Sequence, residues 1–431
     1  MCNNTYLIAA PTSACGKTTV TVGLLRALRD RGMAVQPFKT GPDYIDTQYH
    51  QIAVDRASVN LDSFMQSPEH MQHLFHHYGS DADACIVEGA MGLFDGYDSW
   101  HGSSAEVARQ LGLPVVLVVS ARSVAYSVAP LLYGFGHFME QVHVAGVVFN
   151  MVASARQERV LQQAANDAGV ACLGFMPRNE ALSMPSRHLG LDLSHKQDME
   201  HLIQLAATAV EQNINIDQLL STHRAHKPHE PHKPHEPYTP HPLRILIAHD
   251  EAFSFTYRAN IDALRRMGEV VFFSPLHDTE LPDCDILYLL GGYPELYADR
   301  LAANEAMRSA IRQYAMNDGR VLAECGGFMY LCRELDGLPM CGVFEHRATM
   351  QGARLHLGYR QMECAGVSYR GHEFHYSSVM AQAQPDVRCI TNQSSATGTP
   401  VDTAIYRYRN VVAGYSHWYL GETPIEALWK L

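Results

Sequence analysis

Residues 226–242 read HKPHEPHKPHEPYTPHP, with the hexapeptide HKPHEP repeated in tandem. Proline at this density removes backbone donors and fixes φ, so the stretch favours polyproline II and cannot pack as helix or sheet. A 431-residue chain interrupted in this way has to build separate cores on either side. A semi-rigid linker accounts for the composition. Metal capture by the histidines is the other reading it allows. The expected organisation is a unit at 1–222, a linker at 223–242 and a unit at 243–431.

Both sides carry the same rhythm. Before the joint, TYLIAAP, AVQPFKTG, ACIVEGAMG, PVVLVVSA and VAGVVFNMV read as strands, and TTVTVGLLRALRDRG between the first two has helical periodicity ending at Gly32. After it, LRILIAHD, EVVFFSP, CDILYLLGG and GRVLAECGG read as strands, with a helix through RANIDALRRMG. Strands alternating with helices predict α/β units with parallel sheets and right-handed crossovers.

Charge and cysteine usage narrow the classes. The net charge is −12, and Lys and Arg form no long blocks, which argues against a nucleic-acid surface. No apolar run approaches the roughly 20 residues needed to span a bilayer, so no membrane partner is expected. The N-terminus lacks a basic leader. The ten cysteines are scattered and contain no CxxC, which argues against a disulfide framework or zinc ribbon and fits a reducing cytoplasm. A homo-oligomer is compatible with all of this.

AAPTSACGKTTVTVGLL places a loop between a strand and a helix. It follows GxxxxGK[ST] over residues 11–18, with Pro11 for the first glycine and Gly16, Lys17 and Thr18 intact. Backbone N–H groups and a helix N-terminus would face phosphates there. Lys17 would neutralise them, and Thr18 would ligate Mg²⁺. PFKTGPDYIDTQYH then supplies Lys39, Asp43, Asp46 and His50 just after the second strand, where ligands bind in open α/β sheets. Glu88 ends a very apolar strand, and Asp95 follows it. A buried acid is costly unless paired or metal-bound, so Glu88 is expected beside Mg²⁺.

LAECGGFMYL, residues 322–331, sets Cys325 between an apolar strand and a helix. Strand, sharp turn and helix form the elbow that exposes a nucleophile. The helix start would favour the thiolate, and a late histidine, His417 in GYSHWYLG, would serve as base and acid. The alternative is a buried apolar cysteine. RGHEFHYS also invites a metalloprotease reading, which fails because His372 and His375 are three apart where four are needed.

GKTTVTVGLLRALRDRGMAVQPFKTGPDYID and IVEGAMGLFDG resemble the cobyrinic acid a,c-diamide synthases, of the dethiobiotin-synthetase-like P-loop group. Pro11 is normal for that group; Ala14 and Cys15 depart from its usual Gly and Ser, and an Ala does not take positive φ cheaply. GGYPE, ECGGFMYL and RGHEFHYS resemble the class I glutamine amidotransferase domain fused to those enzymes. The resemblance implies ATP and Mg²⁺ as cofactors. It places ATP on Gly16, Lys17, Thr18, Thr19 and Lys39, and Mg²⁺ on Thr18, Asp46 and Glu88. Asp43 and Asp46 would work in catalysis, with Tyr44, Ile45 and Asp95 at the substrate or behind these groups. In the second unit Cys325 would attack glutamine, with N–H groups near Gly292 and Gly326 as the oxyanion site. The position two residues beyond the histidine, where many relatives have Glu, is Tyr419, leaving a Cys–His dyad. The implied substrate is cobyrinate, amidated on acetates a and c through an acyl phosphate. Nickel-sirohydrochlorin and hydrogenobyrinate are the alternatives. A P-loop regulatory ATPase, which has no use for a glutaminase half, is the remote one.

Overall fold

A computed structural model describes residues 4–182, 184, 196–221, 243–364, 366–390 and 392–429. The HKPHEP repeat lies outside the described residues. The chain divides into two compact units, residues 1–233 and 234–431.

The first unit is a seven-stranded parallel sheet in the order β3-β2-β4-β1-β5-β6-β7. Its strands are β1 (Asn4–Ala9), β2 (Val35–Thr40), β3 (Val59–Leu61), β4 (Ala84–Glu88), β5 (Val115–Ser120), β6 (Val144–Val152) and β7 (Cys172–Pro177). Five of them match the apolar runs expected. β3 and β7 are short or partly exposed and lack such a run. The helices are α1 (Lys17–Asp30), α2 (Asp46–Val54), α3 (Pro68–Gly79), α4 (Ser104–Leu111), α5 (Val128–His137), α6 (Ala155–Asp167), α7 (Lys196–Asn213) and α8 (Ile216–Ser221). The central strands are buried on both faces, so they read as continuous Val, Ile and Leu rather than as an alternation.

α1 is buried along most of its length because it lies between the sheet and α7. Two residues make that fit. Arg26 donates to the Ile52 and Ala53 carbonyls at the end of α2 and pairs with Glu200 on α7 at 2.6 Å. Gly23 sits where a Cβ would meet Val210 Cγ2 at 2.6 Å and the Ala206 carbonyl oxygen at 2.7 Å.

In the second unit a mixed seven-stranded sheet runs in the order 268–273, 243–248, 286–289, 320–324, 411–414, 405–408, 388–389. The first five strands are parallel, and the last two pairings are antiparallel. A second, antiparallel sheet contains His356–Cys364, Val367–His375 and His417–Trp418. Nothing in the sequence reading anticipated this sheet. It pairs His372 with His417 and Gly371 with Trp418.

A helix-interior glycine normally costs roughly 0.5–1 kcal/mol relative to alanine. Gly23→Ala reverses that sign here, because the added methyl overlaps α7. The expected result is a loss of about 1–3 kcal/mol by denaturant titration; an unchanged or raised midpoint would show that α1 and α7 are not in this contact.

Candidate functional site

Strand register assembles the first site. Ile8, Glu88 and Lys39 lie in one row across β1, β4 and β2, so the loop after β1 and two charged strand ends share the carboxyl edge of the sheet. Gly16 has φ +87° and caps α1, and a Cβ there would come within 2.1 Å of Asn150 Nδ2. Asn150 donates to the Cys15 carbonyl at 2.9 Å, fixing the loop from β6. Ala14 does adopt positive φ, at 61°, so the loop keeps its shape at a cost of roughly 1–2 kcal/mol.

Glu88 is the centre of this edge and has no exposed surface. It accepts from Thr18 Oγ1 at 2.7 Å and from His50 Nε2 at 2.7 Å. The other His50 nitrogen meets Ser58 Oγ at 3.0 Å. Burial opposes the charge on Glu88. The His50 hydrogen bond, the charge of Lys39 and the Thr18 bond outweigh it and hold the carboxyl well below the usual range. Lys39 Nζ donates to the Gly89 carbonyl at 3.1 Å and stands 3.6 Å from Asp46 Oδ2, with both side chains buried. Two carboxylates thus flank one lysine. That excess of negative charge, with a hydroxyl beside it, is an oxygen donor set suited to Mg²⁺.

The remaining first-unit residues fall into place around this row. Lys17 Nζ donates to the Met91 carbonyl at 2.5 Å. Asp43 Oδ1 accepts from the N–H groups of Ile45 and Asp46, shaping the entry to α2. Tyr44 is buried and Ile45 packs on the core. Thr19 turns inward and donates to the Leu182 carbonyl at 3.2 Å. Exposed Asp95 accepts from Gly92 N–H at 2.8 Å, bracing the loop after β4. His50 was singled out with Lys39, Asp43 and Asp46 but given no role, and Ser58 is the member that sequence reasoning missed. An imidazole one helical turn beyond Asp46 on α2 was the available signal for the role of His50.

The second site lies at the ends of strands 320–324 and 411–414. Cys325 has φ 46° and ψ −103°, and the helix Gly326–Leu331 begins directly after it. This strained elbow is tied down by Cys325 N–H donating to the Gly414 carbonyl at 2.8 Å. A Cβ on Gly326 would lie 3.0 Å from Gly292 N, so the two backbones expected at the oxyanion site are adjacent. Cys325 Sγ lies 3.9 Å from the Phe374 carbonyl oxygen. His417, three residues beyond Gly414, sets Nδ1 3.5 Å from Glu324 Oε2, and its ring stacks on His372 at 4.8 Å. The other oxygen of Glu324 accepts from Trp418 N–H at 2.9 Å.

The expectation that the helix start favours the Cys325 thiolate is not met. Burial, then the charge of Glu295, pushes the thiol far above its ordinary value, and the Gly326 N–H only partly offsets them. The following helix has just six residues. Burial also pushes Glu295 itself up to about 7. The RGHEFHYS segment is the strand beside the cysteine. Glu373 there accepts from Arg360 at 2.7 Å, Thr403 at 2.6 Å and His375 at 2.8 Å. His356 completes a cluster with Glu373 and His375, and the Arg360 guanidinium 2.7 Å from Glu373 already supplies the positive charge that a cation would bring.

A phosphate-loop edge in one unit and a cysteine elbow with a histidine in the other define a nucleotide-binding unit joined to a glutamine amidotransferase unit. The family profiles agree. Residues 6–191 match the CobQ/CobB/MinD/ParA nucleotide binding domain, and residues 244–424 the CobB/CobQ-like glutamine amidotransferase domain. The chain is 40% identical over 427 residues to the hydrogenobyrinate a,c-diamide synthase of Brucella abortus, covering 96% of this chain and 97% of that protein. It is 37% identical over 443 residues to the cobyrinate a,c-diamide synthase of Salmonella typhimurium, covering 98% and 96%. It belongs to the family of cobyrinate and hydrogenobyrinate a,c-diamide synthases. Among the described residues no helix is long and apolar enough to cross a membrane.

Glu295 above pH 7 carries a charge that opposes a thiolate at Cys325; below that it is neutral. Glu295→Gln is therefore expected to speed iodoacetamide labelling of Cys325 at pH 8 and to leave it unchanged at pH 6, read by mass spectrometry of the Cys325 peptide. Equal rates at pH 8 would place Glu295 too far away to matter.

Proposed function

We propose that the chain amidates the a and c acetate carboxylates of cobyrinate, using ATP and ammonia released from glutamine. The observation that carries this reading is the pairing of the Thr18–Glu88–Lys39 edge in one unit with the Cys325–His417 elbow in the other. The family's P-loop and glutaminase halves support it, and they leave the regulatory-ATPase reading without a use for the second unit. A second reading, hydrogenobyrinate as substrate, is favoured by the relatives at 40% identity. The nine described cysteines are all free, which fits a cytoplasmic setting.

The chemistry divides between the units. A carboxylate is a poor acyl donor because oxide is a poor leaving group. Its oxygen attacks the γ-phosphorus, ADP leaves, and an acyl phosphate forms. Ammonia then attacks the acyl carbon and phosphate leaves. Gly16 and the start of α1 receive the phosphates, and Lys17 and Lys39 offset the charge between ATP and a polycarboxylate substrate. Thr18, Glu88 and Asp46 would hold Mg²⁺, which when bound neutralises phosphate charge. Asp43 fixes the entry of α2 and so sets Asp46. Asp95 braces the loop after β4, Tyr44 and Ile45 stand behind Asp43 and Asp46, and Thr19 ties the start of α1 to the Leu182 carbonyl.

In the glutaminase unit Cys325 rests as a thiol. His417 takes its proton as sulfur attacks the carboxamide carbon, then gives it to the departing ammonia. Backbone N–H groups at Gly292 and Gly326 face the oxyanion. Water releases glutamate from the thioester. Free ammonia is mostly protonated at neutral pH, so making it from glutamine at the time of use spares that loss.

Cys325→Ala is expected to abolish glutamine-dependent amidation and to retain amidation with added ammonium salt; equal loss with both donors would refute a separate glutaminase. Assays with cobyrinate, hydrogenobyrinate and nickel-sirohydrochlorin, each with ATP and glutamine, decide the substrate by which one gains two amides.

Glu88→Gln should cost synthetase turnover about 100- to 1000-fold and leave glutamine hydrolysis measurable. Wild-type turnover would remove Glu88 from the reaction.

A further inference from the structure

The histidine of a Cys–His pair needs something to hold its tautomer and to stabilise the imidazolium that forms when it takes the thiol proton. Tyr419 cannot do this from the position two residues beyond His417. Its ring packs on Tyr257 at 5.6 Å, and a phenol carries no charge to offer. The structure puts a different acid in the place required. Glu324, directly before the nucleophile, is as buried as His417, each with 1% of its side chain exposed, and its Oε2 lies 3.5 Å from His417 Nδ1. At that separation the pair is an electrostatic contact, and contacts of this kind often tighten to hydrogen bonds once substrate binds.

The surroundings fix that carboxylate. Its Oε1 accepts from the backbone N–H of Trp418, the residue after His417, at 2.9 Å. One carboxylate therefore bridges the histidine ring and the histidine's own strand. Asn260 anchors the same strand from the other side, donating to the Trp418 carbonyl at 2.7 Å and accepting from Leu420 N–H at 2.7 Å. Tyr288 lies beneath, and burial together with the charge of Glu324 keeps its hydroxyl protonated. The His372 ring stacks on His417 at 4.8 Å and 14°. Burial, then the charge on His417, holds His372 well below its ordinary value, so it stays neutral and does not repel an imidazolium. Its Nδ1 is engaged by the Tyr257 hydroxyl at 2.7 Å.

We propose that Glu324 is the third member of the glutaminase constellation: a positioning residue, supplied from the residue before the nucleophile, that orients His417 through Nδ1. The Nδ1–H faces Glu324, so the Nε2 lone pair is left for the thiol. When Cys325 attacks, the S–H bond breaks, its proton goes to Nε2, and the positive charge that results lies beside Glu324. The carboxylate gains no proton. Nucleophile and orienting acid are then consecutive residues at the end of strand 320–324, and His417 is brought to Glu324 from the antiparallel sheet in which it pairs with His372.

This inference rests on Cys325 and His417 acting as proposed above, and the test separates the two. Glutamine hydrolysis and ammonia-dependent amidation are measured for the full chain and for Cys325→Ala, Glu324→Gln and Glu324→Asp. Glutaminase activity surviving Cys325→Ala would overturn the underlying reading. With that reading intact, Glu324→Gln is expected to lower kcat for glutamine hydrolysis about 100-fold or more, with KM for glutamine and the ammonia-dependent rate near wild type. A glutamine side chain still accepts from Trp418 N–H, so a purely structural role predicts a near-normal Gln variant and a worse Asp variant, whose shorter side chain reaches neither partner well. A charge-positioning role predicts the opposite order, Asp above Gln. Gln equal to wild type, or Asp below Gln, overturns the proposal. Thermal unfolding of each variant guards the comparison, and if Gln does not fold, the pH profile of kcat for glutamine hydrolysis by Glu324→Asp decides it: a profile displaced from wild type at unchanged KM supports the role, and a superimposable profile removes it.

Discussion

A carboxylate sealed from water keeps its charge only if its neighbours supply what water would have, and Glu88 is where the first unit meets that demand. His50, Thr18 and Lys39 each come from a different segment: α2, the start of α1, and β2. Satisfying one charge therefore fixes three elements against the carboxyl edge of the sheet. The phosphate loop, the α2 entry shaped by Asp43, and the Lys39–Asp46 pair all take their positions from it. A site built this way is set before any ligand arrives, which is what electrostatic stabilisation of transferring phosphate requires.

The second unit solves a related problem with backbone rather than charge. Cys325 occupies a conformation that costs free energy, and the surrounding sheet holds it there through the Gly414 carbonyl and the close approach of Gly292 to Gly326. The same sealing that shapes the elbow suppresses the thiolate. A cysteine kept as a thiol is shielded from adventitious chemistry, and the proposed reaction would then depend on the orientation of His417. The small antiparallel sheet supplies that orientation by pairing His372 with His417 and Gly371 with Trp418. Gly371 has to be glycine, because a Cβ there would lie 1.9 Å from the His417 carbonyl oxygen.

Much of this was legible in the chain. Gly16-Lys17-Thr18 after an apolar strand, Lys39 and Glu88 at the ends of two more, and Cys325 between strand and paired glycines all sit where local pattern placed them. Each of these signals is local: a strand, a turn and a helix start within about twenty residues. β3, β7 and the antiparallel sheet were not legible, since their strands are short, half-exposed or interrupted and carry no continuous apolar run. The thiol state of Cys325 was misjudged for a related reason. A helix start can be read from sequence, whereas burial and the nearness of Glu295 cannot.

By itself the sequence determined two α/β units, a phosphate loop in one and a cysteine elbow in the other, because backbone propensity and hydrophobic period act over short spans. Which side chains face one another across those spans was decided only by tertiary structure. His50 on Glu88, Asn150 under Gly16, and Glu324 against His417 are separated by 38, 134 and 93 positions (88 − 50, 150 − 16 and 417 − 324). Strand order and register bring each pair together, and neither can be read from a single chain, because every parallel neighbour in the sheet is reached through a crossover whose destination the local residues do not specify.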